Sequence, residues 1–86
     1  MVFEKYVKVR HEKFGAVVFE TLREKIFVTN GAGAEILRLL EEKKNAADVV
    51  AQLTERYSSN PETIKADVEE FVRRLQDNGI IRDGVL

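Results

Sequence analysis

The sequence predicts an α+β domain in which a three-stranded antiparallel sheet is followed by three helices, in the order β-β-β-α-α-α. Between residues 5 and 30, apolar and polar residues alternate, which is the period of a strand. From residue 31 onward, apolar residues recur every three to four positions, which is the period of a helix. The chain has 86 residues, enough for one small domain with one modest core, and we assign residues 1–86 to it.

The three strands form a predicted meander. YVKVRH alternates polar and apolar side chains, and GAVVFET follows as the second strand, opened by Gly15. LREK is a polar turn, and KIFVT is the third strand. Ile26 and Val28 share one face of this third strand, and Phe27 and Thr29 share the other. The sequence leaves open which of these faces is turned toward the helices.

Asparagine and glycine residues set the predicted helix boundaries. Asn30 and Gly31 break the third strand, and helix one then covers AGAEILRLLEEKK. Asn45 caps helix two, and Asn60 with Pro61 at the first helical position begins helix three. The apolar stripes that should form the core are Ile36, Leu37 and Leu40 in helix one, Val49, Val50, Leu53 and Tyr57 in helix two, and Ile64, Val68, Phe71 and Leu75 in helix three. The segment Ile80–Ile81 should pack back on the domain as a short tail.

The residue composition and motifs exclude several kinds of catalytic and metal site. There is no cysteine, which excludes disulfides and thiolate metal sites, and the single histidine, His11, has no spaced partners for a metal. NGAGAEI lies between a strand and a helix like a phosphate loop, but Ile36 stands at the third glycine position and the lysine is missing. Gly31 and Gly33 then serve a tight strand-to-helix turn and close packing. We therefore predict a protein that is not an enzyme and uses no metal or cofactor.

Charge and hydropathy argue against nucleic-acid and membrane partners. Residues 1–30 carry six Lys or Arg against four Asp or Glu, and residues 31–86 carry eight against eleven. Neither part has the excess of basic residues that duplex binding favours. No apolar run approaches the ~18 residues of a membrane span, and no signal-peptide core begins the chain. We expect a cytoplasmic protein, and the start at Met1 favours a discrete one.

The two edge strands differ in how they discourage pairing. The first carries the charged side chains Lys5, Lys8, Arg10 and Lys13. The third, IFVT, has no proline and no charge after Lys25, so it is an unguarded edge that can accept an added strand. The alternative is that helix three or the tail covers this edge.

Helix three has two flanks beside its core stripe. The Val72 flank carries the one additional apolar residue and consists of Lys65, Glu69, Val72 and Gln76. The Asp67 flank is entirely polar and consists of Asp67, Arg74 and Asn78. The apolar residue and the long aliphatic stems favour the Val72 flank as the wall of a groove. The alternative is that Val72 only widens the core stripe.

The order of these segments resembles the PqqD-like family, the peptide chaperones also called RiPP recognition elements. The resemblance covers roughly residues 14–81, GAVVFET…KIFVTNGAGAEILRLLEEKKNAADVVAQLTERYSSNPETIKADVEEFVRRLQDNGII. It rests on the junction Asn30 to Leu37, the Ala-Asp-Val-Val helix, and the final Phe71…Leu75…Gly79-Ile80 segment. The family often has Leu immediately before the junction Asn, and here Thr29 departs from that pattern.

The resemblance implies a winged helix-turn-helix-like fold that binds the leader of a ribosomally made precursor peptide. The leader adds as a strand beside the third strand, lies against helix three, and is presented to a modifying enzyme, typically a radical-SAM enzyme. The product class, pyrroloquinoline quinone or a lasso or sactipeptide-type peptide, stays open. The predicted peptide-binding residues are Lys25, Ile26, Phe27, Val28, Thr29, Lys65, Glu69, Val72, Arg73 and Gln76. An acidic or amphipathic leader would meet Lys25, Lys65 or Arg73.

Two alternatives remain at this point. One is a winged-helix DNA-binding regulator, although residues 61–78 hold five acidic and three basic side chains where DNA readers usually place Arg and Lys. The other is self-association, in which the open strand edge forms a homodimer by strand pairing or domain swapping.

Overall fold

The computed structural model describes residues 2–58 and 60–82, so Met1, Ser59 and residues 83–86 of the predicted domain lie outside the description. The elements are β1 (Val2–Phe3), β2 (Val7–Glu12), β3 (Gly15–Glu20), β4 (Lys25–Asn30), α1 (Gly31–Glu41), α2 (Ala46–Tyr57), α3 (Pro61–Asp77) and β5 (Ile81–Arg82). The predicted α+β class, with a three-stranded sheet followed by three helices, is confirmed.

The sheet is an antiparallel meander with the order β2-β3-β4. Val18 at its centre pairs with Val9 on one side and with Phe27 on the other. Ala16 and Val18 of β3 are fully buried under the helices, so this face of the sheet forms part of the core. The third strand of the predicted meander is β4, and it lies at an edge of the sheet.

A second, two-stranded ribbon was not predicted. β1 pairs antiparallel with β5, with Val2 opposite Arg82 and Phe3 opposite Ile81. The amide of Glu4 donates to the carbonyl of Ile80 at 2.9 Å, which extends the ribbon by one contact. Two-residue strands are too short to show a period in the sequence, which is why the pattern missed them. The predicted packing of the Ile80–Ile81 tail is confirmed, because both side chains are buried.

Asparagine side chains cap all three helices. The side-chain oxygen of Asn30 accepts from the amide of Gly33 at 3.0 Å, so this residue both ends β4 and begins α1. Asn45 and Asn60 cap α2 and α3 as predicted. Helix α1 ends at Glu41, three residues before the predicted Lys44, because Lys43 takes a positive φ of 65°.

The core lies between one face of the sheet and the apolar stripes of the three helices. Its buried side chains are Ala16, Val18, Ile36, Leu37, Leu39, Leu40, Val49, Leu53, Val68, Phe71, Val72, Leu75, Ile80 and Ile81. The prediction that Tyr57 belongs to this core is wrong, because its side chain is 48% exposed near the end of α2. Glu20 is buried at 2% exposure, and its carboxylate accepts from the amides of Leu22 and Arg23, which holds the β3–β4 turn.

Candidate functional site

The outer edge of β4 is open within the described residues. β3 pairs with one side of β4, and among residues 2–58 and 60–82 no strand pairs with the other. The tail does not cover this edge, because β5 pairs with β1 instead. An open edge presents unpaired backbone donors and acceptors to an incoming strand. The alternative in which the tail closes the edge is therefore wrong.

The two faces of β4 differ in exposure. Ile26 and Val28 lie on the outer face of the sheet and are 66% and 57% exposed. Phe27 and Thr29 are half-buried on the face that the helices cover. The ring of Phe27 meets Phe71 of α3 edge-on, with 6.0 Å between ring centroids. The face left open by the sequence is therefore assigned: Phe27 and Thr29 point toward the helices, Phe27 to Phe71 of α3 and Thr29 to Gly33 of α1.

A groove of about 400 Å³ lies between the end of β4, the start of α1 and one flank of α3. Its lining residues are Val28, Thr29, Asn30, Ala32, Gly33, Ile36, Asp67, Glu70, Phe71 and Arg74. The three elements meet closely at Gly33, where an added Cβ would overlap the hydroxyl of Thr29 and lie 2.9 Å from Phe71 Cε1. The predicted packing role of Gly33 is thus confirmed, whereas a Cβ at Gly31 would meet nothing within 4 Å.

The α3 wall of the groove carries charges of both signs. The Arg74 guanidinium lies 5.4 Å from the ring centroid of Phe27, in the range of a cation–π contact. Asp67 and Glu70 are exposed along the same wall. Among the residues that the structure describes, neither carboxylate takes part in an ion pair. Both carboxylates are available to a ligand in the groove.

The structure corrects the predicted groove wall. Val72 is 1% exposed and belongs to the core, so the alternative that it only widens the apolar stripe is right. Lys65 and Glu69 face α2, where they line a separate hollow with Ala46 and Val50. Helical periodicity gives the core direction and the two flanks beside it, but it does not say which neighbour covers each flank. Here α2 lies beside the Lys65–Glu69 part of the Val72 flank, and the sheet edge lies beside Asp67.

The other predicted residues divide in the same way. Val28 and Thr29 line the groove, and Phe27 packs against its wall. Lys25 and Ile26 are exposed at the opposite end of β4 and line a different, shallow hollow there. Arg73 and Gln76 are exposed on α3 and do not line the groove. Peptide binding by any of these residues stays a prediction.

The sequence reasoning missed most of the helical lining. Asp67 and Arg74 were assigned to the rejected flank, and Glu70, Phe71 and Ala32 were not considered as groove residues. One signal was available: the apolar side of an amphipathic helix belongs to the interior, so the flank with the additional valine was the one to bury. The polar flank that remained then had to border whatever opening existed.

The described residues hold no cluster suited to a metal ion. No group of three or more His, Asp or Glu side chains in residues 2–58 and 60–82 is placed to hold a metal ion. His11 is engaged, with its Nε2 2.8 Å from Glu41 Oε1, which links the end of β2 to the end of α1. None of the helices described has the length and hydropathy required to cross a bilayer.

Comparison with known proteins gives one family. The family model described as coenzyme PQQ synthesis protein D (PqqD) matches residues 15–81. The PqqA binding protein of Gluconobacter oxydans (strain 621H) is 30% identical over 74 residues, which is 86% of this chain and 77% of that protein. The matched range includes β3, β4, all three helices and the first residue of β5.

Two solved structures share the fold. TbiB1, solved in complex with the TbiA(beta) leader peptide, superposes with a TM-score of 0.91 at 24% identity, covering 100% of this chain and 99% of that one. Lasso peptide synthetase B1, complexed with its leader peptide, gives a TM-score of 0.83 at 23% identity over 91% of this chain and 92% of that one. At this identity the likeness shows the fold alone, and it is consistent with the winged-helix-like arrangement of sheet and helices.

Proposed function

The chain belongs to the PqqD family, and we propose from this that it binds the leader segment of a ribosomally synthesised precursor peptide and presents it to a modifying enzyme. The observation that carries the proposal is the open edge of β4 beside a groove formed with α1 and α3. The proposal is supported by the relative from Gluconobacter oxydans, which is a PqqA binding protein. It is also supported by the two structural neighbours, both of which were solved with leader peptides.

The proposed mechanism is addition of the leader as a fourth strand next to β4. Each backbone hydrogen bond across the new pair contributes only about 0.5–1.5 kcal/mol, so several are needed and none distinguishes one sequence from another. Alternate leader side chains point to opposite faces of the sheet. Those on the helix side enter the groove beside Thr29, Phe71 and Arg74, where shape and charge select the sequence.

We propose a role that is not catalytic, in which the chemistry belongs to the partner enzyme. A radical-SAM enzyme is the partner type expected from the resemblance, and the product, pyrroloquinoline quinone or another modified peptide, stays open. The cytoplasmic location also stays a prediction. A homodimer through the β4 edge would compete with the leader for the same backbone groups, so a concentration-dependent mass that leader peptide abolishes would identify it.

The charges on α3 do not favour the DNA-binding alternative. The α3 wall beside the open edge presents Asp67 and Glu70, and only Arg74 opposes them. A phosphate backbone approaching this wall would meet repulsion, whereas duplex binding depends on Lys and Arg contacts. We therefore retain DNA only as the control in the experiment that follows.

The test is a backbone-amide NMR titration of the full chain. The ligand is the synthetic leader encoded by a short reading frame beside the gene, and the control is a random DNA duplex. We expect the leader, and not the duplex, to shift the amides of residues 25–29 together with those of Asp67 and Phe71. Shifts in helical residues with DNA and none with the peptide would reject the proposal.

A methylation scan of the same leader tests strand addition directly. In a β-ladder every second peptide amide donates across the pair, so N-methylation at alternating positions removes a hydrogen bond and inserts bulk at the edge. We expect affinity to fall about tenfold or more at every second position, with little change at the positions between them. A uniform or absent effect along the peptide, measured by fluorescence anisotropy, would be incompatible with a β-ladder.

A further inference from the structure

The outer face of the sheet, which points away from the helices, carries a block of four apolar side chains. Val17 of β3 pairs there with Val28 of β4. In the next row on this face, Phe19 of β3 pairs with Ile26 of β4. Toward β2, Arg10 stands opposite Val17, and its guanidinium lies 5.4 Å from the centroid of the Phe19 ring. A long charged side chain therefore covers the block on the β2 side, and its β4 side is exposed.

Two valines in one cross-strand row show the effect of a neighbouring strand. Val17 and Val28 lie on the same face and directly opposite each other. Val17 has a strand on both sides and is 9% exposed. Val28 has a neighbour on one side only among the described strands, and it is 57% exposed. A strand added beside β4 would cover Val28 as its neighbours cover Val17, and it would cover Ile26 in the same way.

We propose that Ile26 and Val28 form a second recognition row for the leader, which selects β-branched or aromatic leader side chains on the outer face of the sheet. The inference rests on the proposed function, because it takes the leader to be the strand that pairs with β4. Alternate leader side chains point to opposite faces, so those that do not enter the groove lie beside this outer row. β-branched and aromatic residues form favourable cross-strand pairs. The two selected leader residues are two positions apart, as Ile26 and Val28 are.

The charged side chains on this face favour the leader over a second protein surface. Lys8 lies on the same face as its cross-strand partner Phe19, and it forms no ion pair within the described part of the chain. A protein that covered the whole face would have to supply a carboxylate for the Lys8 ammonium group or bury it unpaired. A leader beside β4 needs neither, because Lys8 lies on β2 at the opposite edge of the sheet.

Ile26 separates the outer row from the groove. Val28 belongs to both, because it lies on the outer face and also lines the groove. Ile26 does not line the groove and borders a separate, shallow hollow of about 340 Å³ at the β3–β4 turn. A substitution of Ile26 therefore changes the outer row and leaves the lining of the groove intact.

The first test compares two exposed apolar residues of the full chain. Ile26→Thr keeps a β-branched side chain in the strand but makes it polar. Leu22→Thr is the matched control, because Leu22 is 67% exposed against 66% for Ile26 and lies in the turn before β4. The ligand is the synthetic leader of the NMR titration, labelled with a fluorophore. By fluorescence anisotropy we expect Ile26→Thr to weaken binding about threefold to tenfold, and Leu22→Thr to change it less than about twofold.

An alanine scan of the leader shows whether the contact lies on one face. Each leader variant is measured with the unchanged protein and with Ile26→Thr, which gives a double-mutant cycle at every position. We expect the loss of affinity at an outward-facing leader position to be about threefold smaller in Ile26→Thr. The losses at the two adjacent positions, whose side chains enter the groove, should be the same in both proteins.

The outcomes separate this inference from the proposed function. If the leader shifts the amides of β4 but binds Ile26→Thr and Leu22→Thr equally well, the outer row is rejected and strand addition stands. Coupling of Ile26 to adjacent leader positions alike would also reject it, because the substitution would then act on strand pairing as a whole. If the leader leaves β4 unshifted, the proposed function and the outer row fall together.

A second copy of the chain is the competing occupant of the row. If the free chain shows a concentration-dependent mass that Ile26→Thr abolishes, while leader affinity stays unchanged, the row belongs to a contact between copies and the inference is overturned. Coupling that is confined to alternate leader positions supports the outer row.

Discussion

The two flanks of α3 show that the residue types on a helix flank do not reveal which neighbouring element covers that flank. The Val72 flank looks adhesive in the sequence, with a valine among long side chains, yet Val72 is buried in the core and Lys65 and Glu69 face α2. The Asp67 flank looks like an ordinary solvated surface, yet it forms the wall of the groove beside the open strand. The elements packed beside a helix flank decide whether a ligand can reach it. The apolar flank of α3 is covered by the core and α2, whereas the polar flank borders the open edge of β4 and stays accessible.

Among the substitutions that test this comparison of the two flanks, we expect the largest change in the free energy of unfolding at Val72. Val72→Asp would bury an unpaired carboxylate, and we expect the free energy of unfolding to fall by about 3–5 kcal/mol. Gln76→Asp, on the exposed part of the same flank, should change it by less than about 0.5 kcal/mol. Urea denaturation followed by circular dichroism measures both.

Val72→Ala is the milder companion in case Val72→Asp does not fold, with an expected loss of about 1–3 kcal/mol. The comparison would break if Val72→Asp were as stable as Gln76→Asp and lost only its affinity for peptide. In that case the valine would form a groove wall after all.

An intermediate effect is expected at the base of the groove. Gly33→Ala forces a methyl group against Thr29 and Phe71, and we expect a loss of about 1–3 kcal/mol in the free energy of unfolding. Gly31→Ala has open space and removes a flexible residue from the first turn, so it should be neutral or stabilise by up to about 1 kcal/mol. Thermal and urea denaturation measure the stability of the two variants. Equal stability of Gly33→Ala and Gly31→Ala would contradict the close approach of α1 and β4.

The smallest effect separates two neighbouring arginines. Arg74 lies over the Phe27 ring at the groove, whereas Arg73 is exposed on α3 away from the groove lining. We expect Arg74→Ala to lower the free energy of unfolding by about 0.5–1 kcal/mol and to move the ring resonances of Phe27. Arg73→Ala should leave the Phe27 resonances in place. Equal changes in the two variants would show that the Arg74 contact is not formed in solution.

Local rules predicted the elements well. Each of the three asparagine caps follows from a side-chain oxygen within reach of the first free amides of a helix, and Asn45 and Asn60 were assigned on that ground. The change from alternation to helical period placed the sheet before the helices. The close packing at Gly33 was also predicted, because it requires only that a strand turn directly into a helix.

Contacts between residues that are far apart in the sequence could not be predicted from the sequence pattern. β1 and β5 are two residues each and lie at opposite ends of the chain, so neither a period nor a turn signal announces them. Tyr57 occupies a helical stripe position but falls in the last turn of α2, where the core has ended. The groove lies where the polar flank of α3 meets β4. The additional valine marks the other flank for burial, but the placement of α2 beside that flank and of β4 beside Asp67 is a long-range contact.

The pairing of β1 with β5 has a consequence for how this domain can be joined to others. Val2 and Arg82 are opposite one another in an antiparallel pair, so their Cα atoms are separated by about 4.5–5.5 Å. The two ends of the described part of the chain, Val2 and Arg82, therefore lie side by side. A surface loop of a larger enzyme can be opened by that small distance and receive the whole unit as an insert. Such a fusion would hold a captured peptide at millimolar effective concentration near a catalytic site, without any docking interface between two separate chains.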